Sequence, residues 1–322
     1  MKITPEGVCE ARNRWTMHVF CGSTFGRKRR GSSLMEKVSL IIPLYNAGAY
    51  FEEMLQSILT QTYPNIQLLV VDDGSIDDSA GVFYRYENEL KSKLTEVLFF
   101  QHECNQGAAS AMNTALPYCT GEYLAWVDAD DWMSENNIAK KVQFLQEHPE
   151  FVIMRCDGMQ IDMQNGKKET LAQESDKEIK CRFEDLLFSK TYCHCGCYLV
   201  RAEAFFSCYP QRQIPVSRQG QNMQMLLPPL SLGECGYLDE VLYFYRIHGA
   251  NHSRSFVSFP QRMERVNGFE KLQLDILPHC NCDRETYSRM IREYWNRERM
   301  CLRRQYLQAV KNTLQRKEKH EE

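Results

Sequence analysis

The chain has 322 residues, room for one large or two modest domains with a full core, and its charge is nearly balanced, 39 Lys+Arg against 42 Asp+Glu. That balance argues against a nucleic-acid or polyanion partner recruited by bulk charge. No apolar run is long enough to cross a bilayer as a helix.

Residues 1–34 lack any period and carry the basic run Arg27-Lys28-Arg29-Arg30. Met35 follows, and regular alternation begins at Val38, so 1–34 are expected to be a disordered tail or an upstream-start extension outside the fold. The opening MKITPEGVCEARNRW has no apolar core of the kind a signal peptide needs. Cys119, Cys156 and Cys235 sit in or beside apolar runs, where thiols behave as small hydrophobes. A reducing, cytoplasmic setting is expected for the 14 cysteines.

From Val38 the pattern predicts a strand over 38–44, an amphipathic helix over 50–61 and a strand over 66–71. A helix over 77–91 follows, with Asp77 and Asp78 in its first turn. Then come a strand over 97–101, a small-residue helix over 107–116 and a strand over 123–127. Continuous Val/Ile/Leu runs separated by helices indicate a parallel sheet covered on both faces. Beyond a helix at 137–147, Phe151–Asp162 reads as a long strand and Asn165-Gly166 as a hairpin turn. Residues 181–190 read as helix, 195–200 as extended chain, 220–232 as a helix interrupted at Pro228-Pro229, and 236–249 as strand. After Pro260 the chain is helical and basic.

Two of these strands end in acids: Asp72-Asp73-Gly74-Ser75, and Asp128-Ala129-Asp130-Asp131. In open α/β sheets ligands bind beyond the carboxyl ends of the strands, so the two clusters predict one site on one edge. Asp128 and Asp130 alternate on extended chain and so point to one side, where they can converge on a hard divalent cation. Asp72 suits a base N–H or a ribose hydroxyl, although Asp-Gly-Ser is equally a strand-to-helix turn. The string CHCGC (193–197) alternates its thiols without a second pair, which favours a tightly packed strand over a zinc ribbon.

VSLIIPLYN, VVDDGSIDDS, NQGAASAMNTAL, GEYLAWVDADD and LYFYRIHG occur in the order and rough spacing of family 2 glycosyltransferases, and the resemblance is strong over about 38–135 and looser to about 255. It implies an α/β fold of the GT-A type: a mostly parallel nucleotide-binding sheet flanked by helices, here with a helical C-terminal extension. It also implies inverting sugar transfer from a nucleotide-sugar, with Mn2+ or Mg2+. By position, Pro43, Tyr45 and Asn46 would line the nucleoside pocket, and Asp72, with Asp73, Asn105 and Gly107 around it, would hold the base. Asp128, Ala129 and Asp130 would form the donor-ribose and metal-diphosphate motif, with His248 closing on the diphosphate or its metal.

Two departures stand out. The carboxylate pair that usually supplies the base falls on Gln221-Asn222, amides that orient a hydroxyl but take no proton near neutral pH. Glu234, Asp239 and Asp185 are alternative bases. Met112 stands where the family often has a basic residue. The expected organisation is a transferase domain over 35–255, its nucleotide half at 35–135 and its acceptor half at 136–255, then a basic helical region over 256–322. The expected activity is hexosyl or N-acetylhexosaminyl transfer, with UDP-sugar as donor and a glycan or lipid-linked acceptor in cell-surface polysaccharide synthesis. Gln221-Asn222 keep a catalytically weak or dead nucleotide-sugar sensor as the alternative. A nucleotidyltransferase would want a basic Gly-rich loop after the first strand, and PLYNAGAYFEE has none. The basic C-terminal helices suit peripheral contact with the inner surface of a membrane, although a solvated face is the commoner use of such charge.

Overall fold

The computed structural model describes residues 35–178, 182–249 and 258–321; the expected 1–34 extension lies outside the described residues. Strands β1 (Val38–Leu44), β2 (Ile66–Asp72), β3 (Glu96–Gln101) and β4 (Tyr123–Trp126) alternate with helices α1 (Phe51–Leu59), α2 (Ser79–Lys93) and α3 (Ala108–Ala115). The four strands are mutually parallel in the order β3-β2-β1-β4. All seven residues of β2 and all four of β4 are buried, as a strand covered on both faces requires. On α1 the buried positions Phe51, Met54, Leu55 and Ile58 recur at helical spacing and form the stripe that packs on the sheet.

The chain continues with β5 (Trp132–Met133), α4 (Asn137–Glu147), β6 (Phe151–Asp162), β7 (Lys168–Thr170), α5 (Glu174–Glu178) and α6 (Phe183–Leu187). It then forms β8 (Tyr198–Arg201), α7 (Ala202–Cys208), α8 (Asn222–Leu230), β9 (Glu234–Ile247), α9 (Phe259–Ile276) and α10 (Arg284–Glu321). Strand β8 joins β4 antiparallel and extends the sheet through β6 and β9 to β5. One continuous sheet therefore runs from β1 through to β9, across residues 38–247.

Four local expectations change. The helix after β2 begins at Ser79, not Asp77: Asp77 Oδ1 accepts from Ser79 N (3.0 Å) and Ser79 Oγ, and its Oδ2 accepts from Gly48 N at 2.9 Å. The acid thus ties two loops together instead of charging a first helical turn. CHCGC is not a strand; Cys195–Cys197 form a buried 3-10 turn, and extended chain starts only at Tyr198. Helix α8 runs through Pro228 and Pro229 to Leu230. Pro228 has no N–H for the Gln224 carbonyl, and the Tyr209 hydroxyl donates to that carbonyl instead, at 3.0 Å. Strand β5 and helix α7 appear where no element was expected, since two and seven residues are too few to display a period.

Candidate active site

The parallel ladders align the strand ends. Leu44 faces Asp72 across β1 and β2, and Asp73 N, one residue beyond, donates to Leu44 O at 2.8 Å. Val127 N donates to Ile41 O at 3.1 Å, which carries β4 to the same edge. Two strand spacings, about 10 Å, separate the ends of β2 and β4.

Asp72 is fully buried, its Oδ1 accepting from Ser75 N (3.0 Å) and its Oδ2 from Gln101 Nε2 (2.9 Å). Each oxygen has one donor and a second lone pair, all covered by the surrounding protein. Asp73 is committed to the fold: Oδ1 accepts from His102 Nδ1 (2.7 Å) and Gln106 N (2.9 Å), and Oδ2 from Gly107 N (2.7 Å). It therefore pins the loop holding Asn105 and Gly107 instead of facing the edge as expected. Gly74 is obligatory, with φ +72° and an added Cβ only 2.7 Å from the Cys104 backbone. Asn46, at φ 48°, laces the first loop to the second: its N donates to Ser75 Oγ and its Oδ1 accepts from Ile76 N, both at 2.9 Å. Next to it Tyr45 is 46 % exposed on the rim, and Pro43 is half-buried.

The three acids after β4 have separate fates. Asp128 is half-buried; its Oδ1 accepts from Gln221 Nε2 at 3.3 Å. Burial, then the Asp130 charge, pushes its carboxyl up to about 6, against hydrogen bonds from the Cys195 thiol and Gln221. Asp130 lies with Oδ2 3.0 Å from His248 Nε2, and its carbonyl accepts from Arg246 Nε at 2.8 Å. Asp131 turns inward and is completely buried, accepting from the Tyr243 hydroxyl (2.5 Å) and Arg246 N (2.8 Å). Burial first, then the charges of Asp130 and Asp128, raises its carboxyl well above the usual range. Asp131 is thus a packing acid that holds β9 against the loop, with Ala129 buried between the two outward acids.

Three groups on this edge were not assigned to the site from the sequence. Arg246 lies over the Trp132 ring (4.6 Å) and the Tyr50 ring (5.0 Å) and pairs with Glu53, which locks β9 to α1 beneath Asp130. Tyr50 also packs against His248, ring centroids 4.5 Å apart. The Cys195 thiol, from the 3-10 turn, reaches Asp128. Arg246 was at least visible beside His248 in YRIHG; Tyr50 and Cys195 carry no sequence signal for the site.

Gln221 and Asn222 do reach it. Gln221 braces Asp128, and Asn222 Oδ1 accepts from Trp126 Nε1 at 2.8 Å. The alternative bases do not. Glu234 begins β9, about 40 Å along that strand from its His248 end. Asp239 pairs with Lys177, and Asp185 accepts from Arg182 N at the start of α6. Among the described residues no three His, Cys, Asp or Glu side chains form a closed metal cage. Asp130 and His248 instead form an open oxygen-and-nitrogen pair, a donor set that fits Mn2+ or Mg2+ completed by water and phosphate oxygens. CHCGC is not such a site: Cys195 and Cys197 are buried, and His194 packs on Tyr245, its imidazole held down to about 4 by burial.

Residues 39–206 match the family model described as Glycosyl transferase family 2, and the chain belongs to that family. It is a glycosyltransferase with the GT-A fold. An uncharacterized glycosyltransferase of Nostoc sp. is 28 % identical over 248 residues, covering 71 % of this chain and 70 % of the relative. A Bacillus subtilis glycosyltransferase whose name places it in teichuronic acid biosynthesis, TuaG, is 29 % identical over 217 residues, 65 % of this chain and 79 % of its own. Among solved structures, S. aureus TarS 1–349 in complex with UDP-GlcNAc superposes with a TM-score of 0.61 at 21 % identity, over 81 % of this chain and 72 % of that one. No helix among the described residues is long and apolar enough to cross a membrane.

Proposed function

We propose that this glycosyltransferase is metal-dependent and inverting. It would move a hexosyl or N-acetylhexosaminyl unit from a UDP-sugar to a glycan or lipid-linked acceptor in cell-surface polysaccharide assembly, at the cytoplasmic side of a membrane. One observation carries the reading: Asp72, Asp128, Asp130 and His248 share the carboxyl edge of one sheet in a family 2 fold. The UDP-GlcNAc bound by TarS supports the donor class, and the name of TuaG supports the polysaccharide setting.

In this reading the Pro43–Asn46 loop, Asp72 and the Asn105–Gly107 loop hold the nucleoside. Asp128 takes the donor ribose, and Asp130 with His248 takes the Mn2+ or Mg2+. Such an ion supplies electrostatic stabilisation of the departing diphosphate. Gln221 keeps Asp128 oriented, Arg246 fixes the Asp130 backbone, and Tyr50 limits the swing of His248. The acceptor oxygen bonds to sugar C1 as the bond from C1 to the diphosphate breaks, and its electron pair leaves with UDP. Gln221 and Asn222 orient the incoming hydroxyl without taking its proton, which is released to water as the new bond forms.

Calorimetry with UDP and a turnover assay with UDP-sugars, each with and without Mn2+, test the proposal. Binding should depend on the metal, and Asp130→Ala should abolish turnover; undiminished turnover under chelation would refute the metal role. A second reading, a nucleotide-sugar sensor without catalysis, draws on Gln221-Asn222. It predicts metal-dependent UDP binding with neither transfer nor donor hydrolysis.

A further inference from the structure

Helix α10 has two unlike halves. The first is locked to the body: Trp295 Nε1 donates to Gln273 Oε1 at 2.7 Å, and Arg299 pairs with Glu270 at 2.6 Å. Leu302 is the last buried position among the described side chains, and every residue over 303–312 is exposed. Here Met300, Leu307 and Val310 are 47, 65 and 39 % exposed. At 3.6 residues per turn these three fall within an arc of about 80°. Arg303 lies inside that arc, and Arg304 and Lys311 border it.

The charge of this half is one-sided. From Arg303 to Lys317 the sequence holds five cations and no acid, which leaves the rest of the chain at a formal −8 against −3 overall. A helix whose polar face serves only water mixes signs and pairs them at i,i+4; Arg303, Arg304 and Lys311 have no acid three or four positions away on either side. Association of two copies through the arc would set Arg303, Arg304 and Lys311 against their own equivalents with no counter-charge on the partner helix. A nucleic acid would satisfy the cations but leave Leu307 and Val310 in water. An anionic lipid surface satisfies both, taking the apolar arc below its headgroups while the arginines reach up to the phosphates.

We infer that the distal half of α10 is a membrane-docking element that lies flat on an anionic lipid leaflet. Residues 35–298 carry a formal −12 and are repelled by that leaflet, so docking of the folded body is confined to this helix. The membrane contact of the proposed function thereby gains a definite surface, one at which a lipid-linked acceptor would be met. Docking is read without turnover, so a failed flotation and a failed donor assay are separate results.

The test is co-flotation of the full chain with vesicles of phosphatidylcholine alone or with phosphatidylglycerol. Binding is expected only to the anionic vesicles and should be lost in high salt. Replacing Arg303, Arg304 and Lys311 together by Gln should weaken partitioning on the order of 100-fold, at about a factor of five per cation. Leu307→Glu with Val310→Glu should abolish it; both sites are exposed, so circular dichroism and donor turnover in solution should not change. Absence of binding to anionic vesicles overturns the inference, as does equal binding by these variants. A dimer in light scattering that Leu307→Glu dissociates would instead make the arc a self-interface, and selective capture of RNA by the wild type would make it a nucleic-acid surface.

Discussion

Replacing Asp128 by Asn should make the metal-free protein more stable while disabling it. In the folded protein burial and the neighbouring Asp130 charge push the Asp128 carboxyl to about 6. In the unfolded chain it titrates near 3.9. Below the unfolded value both states hold the proton, and the site contributes nothing. As pH rises the unfolded chain ionises first, so the folded state loses relative stability until pH passes about 6, and above that the penalty is complete. Two units at about 1.4 kcal/mol each set it at about 3 kcal/mol. Asn keeps an oxygen for the Gln221 amide and removes the charge facing Asp130. Urea unfolding in EDTA at pH 7.5 should therefore show Asp128→Asn more stable than wild type by up to about 3 kcal/mol, with the two converging near pH 4. The same variant should lose metal-dependent UDP binding. A variant no more stable than wild type at pH 7.5, or a stability gap that is the same at both pH values, would refute the reasoning.

Three further outcomes follow from the geometry. Gly74→Ala forces both a positive φ and a clash with the Cys104 backbone, and should cost about 1–3 kcal/mol in urea unfolding while weakening UDP binding. Tyr209→Phe strands the Gln224 carbonyl that Pro228 cannot serve; it should cost about 1–2 kcal/mol with donor KM unchanged. Asn222→Asp retains the acceptor for Trp126 but adds a third negative charge beside Asp128 and Asp130, so turnover should stay level or fall. A sharp rise would identify position 222 as a lost base and favour the sensor reading.

The site edge was legible because buried parallel strands read as unbroken apolar runs, and acids at their ends break that pattern abruptly. The division of labour within each acid cluster was not. Asp72 and Asp73 are the same residue type one position apart, yet Asp73 accepts from the His102 side chain and two backbone N–H groups, while Asp72 accepts one donor on each oxygen. Asp131 is withdrawn from the edge by Tyr243 and Arg246, more than a hundred residues downstream, and no local pattern carries that distance. The cysteines of CHCGC misled for a related reason: alternation suggests a strand, but small thiols pack equally well in a 3-10 turn, and the fold put Cys195 against Asp128.

By itself the amino-acid sequence determined the β/α alternation, the edge at which its acids gather, and the family to which the chain belongs. These rest on periodicity and on residue types within one strand or turn, where neighbours in sequence are neighbours in space. Tertiary structure alone decided which carboxylates are consumed by the fold, how Arg246 and Tyr50 brace Asp130 and His248, and that Arg303, Arg304 and Lys311 of α10 lie on an exposed surface. Each of those depends on groups brought together from distant strands and helices, and burial there, not residue type, sets what a side chain can do.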